Sequence, residues 1–169
     1  MPICNPTPPL LLARPRRMLV GAVLGVSLLM NALNAGATGG PQSTPVGTWT
    51  TIDDASHRPR SEVEISETGG ALSGRIVRLF PTHGEDADPR CVHCTGDRHD
   101  APVLGMTILW NLRRHGDDWD GGEILDPESG KIYRVTLHLG TAGDRLEVRG
   151  YIGISLLGRT QVWERAAAR

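Results

Sequence analysis

From Val46 to Arg165 the chain is a succession of short β-type runs broken at close intervals by turn residues. A period of two puts alternate side chains on opposite faces of a strand, whereas a helix needs apolar residues about every 3.6 positions, and no stretch here sustains that spacing. SEVEISE (61–67) sets Val63 and Ile65 against Glu62, Glu64 and Ser66, and KIYRVTLHL (131–139) sets Tyr133, Val135, Leu137 and Leu139 against Arg134, Thr136 and His138. Runs at 46–52, 71–80, 103–112, 118–125, 145–153 and 158–165 complete a set of eight. Thr68-Gly69-Gly70 reads as a hairpin turn, and in LDPESGKIY (125–133) Asp126 and Pro127 start a turn that Gly130 closes with a positive φ. Many short strands joined by turns predict an all-β antiparallel barrel or sandwich. Segment 103–112 departs from the pattern, because MTILWNLRR also fits a short helix.

The N-terminus has a different character. Arg14, Arg16 and Arg17 precede an apolar run from Met18 to Leu33, and Ala35 and Ala37 follow in an A-x-A arrangement. That is the layout of a secretory signal peptide over residues 1–37, cleaved after Ala37. The apolar run is shorter than the roughly 20 residues a spanning helix needs, so no integral membrane span is expected after cleavage. Residues 38–45, TGGPQSTP, read as a poorly ordered lead-in, and 46–166 as a single β-barrel domain. Cleavage leaves 132 of the 169 residues, enough to bury one core. Fifteen basic residues then face 19 acidic ones, a formal charge of −4 that argues against nucleic acid or an anionic membrane as partner. The expected location is periplasmic or secreted, and there cysteines tend to pair.

Only Cys91 and Cys94 remain after cleavage, since Cys4 leaves with the signal. They lie in CVHCTGDRHD (91–100), within a long loop between strands. A disulfide is the plainest outcome for two cysteines in an oxidising compartment with no other partner. The closed ring is so small that the cross-link contributes only about 2 kcal/mol. Zinc or copper is the second reading, with Cys91, Cys94 and His99 joined by His93 or His83, although structural zinc sites usually carry a second tight pair. A catalytic dithiol is the third: His93 inside the pair lowers a thiol pKa, but TGDRHDAP after Cys94 cannot continue the helix on which such pairs sit. Position 95 is threonine, so the haem-attachment pattern is not met. The chain has no G-x-S-x-G, phosphate-loop or H-E-x-x-H motif, and neither an enzymatic activity nor a cofactor is expected. Asp53-Asp54 and Asp117-Asp118 sit where turns favour Asp, and His57, His115 and His138 read as isolated surface residues.

Two resemblances narrow the fold. VGTWT (46–50), together with GRTQVWER (158–165) as final strand, resembles the lipocalin or calycin group. There a Gly-x-Trp on the first strand packs beneath a cation from the last. The resemblance implies an eight-stranded up-and-down barrel closed by Gly47 and Trp49 with Arg165 or Arg159. Over nearly the whole remaining chain, GTWTTIDD, the C-x-x-C loop, LDPESGKIY and VRGYIGISLLGRTQVWER resemble a family of small exported bacterial proteins classed as domain of unknown function twenty-one forty-seven. That resemblance implies a lipocalin-like barrel and brings no activity with it. A site, if present, is expected at the barrel mouth, from Arg149, Tyr151, Arg159 and Trp163 with Tyr133, where glycines let a ligand approach the backbone. Three functions follow in order of preference: binding of a small apolar or amphipathic molecule, a structural or interaction role with a filled barrel, and thiol redox or metal chemistry at Cys91 and Cys94. A continuous pocket of roughly 300 Å³ or more separates the first from the second.

Overall fold

A computed structural model describes residues 44–154 and 158–167. The predicted signal segment 1–37 lies outside the described residues, as does the lead-in up to residue 43. Eight strands, β1 (Gly47–Ile52), β2 (Pro59–Thr68), β3 (Ala71–Leu79), β4 (Thr107–His115), β5 (Asp118–Asp126), β6 (Lys131–Leu139), β7 (Arg145–Tyr151) and β8 (Gly158–Arg165), pair antiparallel in chain order. The ring closes where β8 returns to β1, with Trp49 opposite Arg165 and Thr50 opposite Glu164. Closure leaves no free sheet edge, which is how an antiparallel sheet of this size avoids pairing with a second molecule.

Alternation decides what goes inside. Trp49, Val63, Ile65, Leu72, Val135, Leu137, Leu146 and Trp163 point inward and are buried. The outer face carries charge, with Glu64 paired to Arg75 and Glu62 to Arg78. His115 and His138 are exposed but not isolated, since each binds a carboxylate: Asp120 at 2.5 Å and Asp118 at 2.6 Å. Among the described residues no helix is long and apolar enough to cross a membrane.

Segment 103–112 is neither a helix nor a strand over its full length. Gly105 has a φ of 84° and the strand begins at Thr107, four residues later than the pattern suggests, and runs on to His115. Within β4, Asn111 takes a φ of 63° and the register against β3 shifts twice. The resulting bulges let Ile108, Leu109 and Leu112 all be buried, a spacing that resembles helix but is produced by an irregular strand. The lead-in also ends earlier than expected. Pro45 is fully buried and the Thr44 carbonyl accepts from Arg165, so both belong to the barrel.

Strand direction sorts the connections between two ends. The turns at 69–70, 116–117 and 140–144 crowd the end at which β1 begins and β8 finishes, here called the floor. The connections 53–58, 80–106 and 127–130, with residues 152–154 after β7, gather at the other end, the mouth.

Candidate functional site

The floor is sealed by one arginine. Arg165 places its guanidinium 4.2 Å from the centre of the Trp49 ring and donates to three backbone carbonyls: Nε to Gly143 at 2.5 Å, Nη1 to Val46 at 3.0 Å and Nη2 to Thr44 at 3.1 Å. Trp49 Nε1 donates to the Pro45 carbonyl at 2.7 Å. Gly47 has a φ of 129°, and a Cβ there would stand 2.7 Å from Arg165 Nη1, so both conformation and space call for glycine. Burial holds the Arg165 pKa below its ordinary value, while Asp144 acts in the opposite direction. Of the two arginines the Gly-x-Trp pattern allows, Arg165 is therefore the one that stacks on Trp49.

Above this floor the barrel is not filled. A cavity of about 1130 Å³ occupies its mouth half. Ile76, Ile108, Ile124, Val148 and Trp163 supply apolar wall, and Tyr133, Tyr151, Gln161 and Arg159 bring polar groups to it. β8 contributes Arg159, Gln161 and Trp163, which alternate on its inner face from mouth to floor. Their cross-strand partners on β7 are Gly150, Val148 and Leu146. Gly150 has only ordinary contacts around a hypothetical Cβ, the closest being Tyr133 Cβ at 3.6 Å, so it leaves room rather than relieving a clash.

The charged groups of the mouth are mostly spoken for. Asp53 accepts from the Ser56 amide and hydroxyl, both at 2.7 Å, and these bonds lower its pKa. Glu85 caps the Thr82 amide at 2.8 Å, which lowers its pKa too. Asp126 receives the Glu128 amide and the Ser129 hydroxyl across the β5–β6 turn. Arg159 pairs with Asp54 beside the mouth. Arg60 on β2 reaches Glu128 in the β5–β6 turn, on the far side of the ring, so this ion pair spans the opening.

Cys91 and Cys94 form a disulfide, and both are buried. With the sulfurs bonded to each other, the predicted metal set of Cys91, Cys94, His99, His93 and His83 has lost its thiolates. Among the described residues no cluster of His, Cys, Asp and Glu is placed to hold a metal ion. His99 Nδ1 instead lies 3.1 Å from the Cys94 carbonyl. Nor does the loop depend on the cross-link alone for order. Arg90 and Pro102 bridge, Cys91 N donates to Ala101 O, Val103 N to Pro89 O, and Val103 and Met106 join the core. The pair lies flat on the β5–β6 turn, with Cys91 Sγ 3.1 Å from the Pro127 carbonyl. Gly130, at a φ of 69°, is in van der Waals contact there, because a Cβ would overlap the His93 carbonyl. Pro89, Arg90, Val92 and His93 in this way form part of the cavity wall.

Of the five candidate ligand residues, Tyr133, Tyr151, Arg159 and Trp163 line the cavity. Arg149 does not. It lies one residue out of phase with Val148 and Gly150, on the outside of β7, where Nη1 donates to Thr160 at 3.0 Å. Gln161 and the wall built by the disulfide loop are absent from the residue-level expectation. Period-two counting back from Trp163 finds Gln161, whereas the packing of a distant loop over the mouth has no local signal.

No functionally curated protein matches the chain. Among solved structures it is similar to protein HP1028 from the human pathogen Helicobacter pylori, described as belonging to the lipocalin family. The TM-score is 0.61 at 20% identity, over 72% of this chain and 82% of the other, a likeness of fold. The family profile described as "Uncharacterized protein conserved in bacteria (DUF2147)" matches residues 47–165, from the first glycine of β1 to the arginine that seals the floor. By that match, the chain belongs to this bacterial family, here as an eight-stranded lipocalin-like barrel.

Proposed function

We propose that the protein is an exported carrier that holds one small apolar or amphipathic molecule inside the mouth half of its barrel. The observation that carries the reading is the cavity. At about 1130 Å³ it is as large as small-molecule sites become, and its wall combines aliphatic and aromatic side chains with charged and polar groups of the mouth such as Arg60, Asp126 and Arg159. A barrel of eight strands can be filled by its own side chains, and the floor half of this one is. The emptiness of the other half therefore favours binding over a filled structural barrel. The buried disulfide stabilises the loop that forms one wall, which suits an oxidising compartment. Export itself is inferred from Arg14 to Ala37.

Native mass spectrometry of the protein incubated with single-chain amphiphiles tests this. One ligand per chain, displaced by a second apolar competitor, supports the carrier. Absence of any adduct across decyl to hexadecyl chains, alcohols and ketones included, contradicts it.

A further inference from the structure

Large apolar side chains that stay exposed are not spread evenly over the barrel. Among the described residues they are Val92, Leu104, Ile132, Ile152, Ile154 and Val162. Strand direction puts five of them at the mouth end. Val92 and Leu104 belong to the connection between β3 and β4, Ile132 is the second residue of β6, and Ile152 and Ile154 directly follow β7. Val162 lies along β8, and the turns of the floor carry none. Apolar residues scattered singly over a surface need no explanation, but their grouping at one end marks a contact surface.

Three of the five share one arc of the rim. β6 and β7 are neighbours in the ring, with Arg134 opposite Tyr151, so Ile132 stands at the same end of the same strand pair as Ile152 and Ile154. Ile152 and Ile154 are 64% and 61% exposed, and Ile152 also lines the cavity, so the arc continues into the interior wall. Two exposed cations stand beside it, Lys131 and Arg134, and among the described residues neither side chain has an ion pair or hydrogen bond. The carboxylates opposite them are engaged elsewhere. Asp126, across from Lys131, accepts the Glu128 amide and the Ser129 hydroxyl, and Glu123, across from Arg134, accepts from Trp110.

We propose that this arc is a docking surface for a zwitterionic phospholipid membrane. The isoleucines enter the interfacial layer, and Lys131 and Arg134 meet the lipid phosphates. Position favours a lipid over a protein partner. An apolar molecule can pass between bilayer and barrel along Ile152 without crossing water, whereas a protein seated on the arc would cover that route. The excess of acid over base in residues 38–169, 19 against 15, favours a membrane without net charge over an anionic one. Docking rests on the carrier reading only through the position of the cavity.

The test is flotation of ligand-free residues 38–169, which hold all eight strands and the core, with phosphatidylcholine vesicles in a density gradient. The wild-type chain should rise with the vesicles. Ile132→Asp with Ile154→Asp should lower its partition about tenfold or more, because two apolar side chains lose their burial. Lys131→Ala with Arg134→Ala should lower it as well, while Val162→Asp should float like wild type. Neither Ile132 nor Ile154 lines the cavity, so both double variants should keep the ligand adduct in native mass spectrometry. Wild-type protein that stays at the bottom of the gradient overturns docking and leaves the carrier intact. Flotation unchanged in both double variants overturns the assignment to this arc. Tighter binding to phosphatidylglycerol than to phosphatidylcholine overturns the zwitterionic surface. Flotation without any ligand adduct contradicts the carrier alone.

Discussion

Arg165 shows how much one side chain decides at the floor. It donates to three backbone carbonyls and stacks on the fully buried Trp49 ring. Arg165→Met keeps the apolar stem but orphans the carbonyls, so a loss of roughly 2–4 kcal/mol is expected in urea unfolding. A loss under 0.5 kcal/mol, typical of a surface arginine, would contradict this role. His138 behaves differently because it is exposed. The hydrogen bond to Asp118 raises its pKa above 6.5, with burial working against it. A raised pKa means that the folded protein holds the proton more tightly. The stabilisation is complete below the unfolded value and disappears as pH rises through the folded one. NMR titration should find the His138 midpoint above 6.5 and nearer the ordinary value in Asp118→Asn. An unchanged midpoint in that variant would remove the pairing. At this scale the Gly-x-Trp and its cation were legible, because they are a short pattern. Arg149 was misplaced although parity with Leu146 and Val148 puts it outside.

At the scale of elements, the cysteine loop is a wall of the cavity as well as a staple. Cys91→Ala with Cys94→Ala should cost about 2 kcal/mol from the cross-link, because the closed ring is short. The barrel should remain folded, held by β pairing and by the Val103 and Met106 anchors. Affinity for an apolar ligand should fall, since His93 and Val92 line the cavity through this loop. Denaturant unfolding and ligand titration of the same variant read both effects. Complete unfolding of the double variant would show that the disulfide carries the fold. Seven of the eight strands were readable as short runs between turn signals, β2 and β6 most clearly, because a half-buried strand prints its two faces into the sequence. β4 was ambiguous for a physical reason. Its bulges place Ile108, Leu109 and Leu112 in the core together, and that spacing is shared with a helix. The order of residues 80–106 comes from long-range backbone bonds such as Ile76 N to Met106 O, which composition does not encode.

For the molecule as a whole, closure of the ring divides the interior into two unequal chemistries. The floor half is packed and anchored by Trp49 and Arg165, and the mouth half is open space beside the disulfide-closed loop, with the Arg60–Glu128 ion pair at the opening. An up-and-down barrel was predictable from eight short β-type runs, whereas whether its interior is filled depends on side-chain volumes summed across strands. The central claim is that an apolar molecule occupies the mouth half, and Val148 is the inner-face residue at which to test it. Titration of N-phenyl-1-naphthylamine fluorescence should give saturable binding by the wild-type protein. Val148→Trp, confirmed folded by circular dichroism, should weaken that binding about tenfold or more, because the indole takes the probe's space in a wall that is close-packed behind it. Equal binding by the two proteins would place the probe elsewhere and contradict the account.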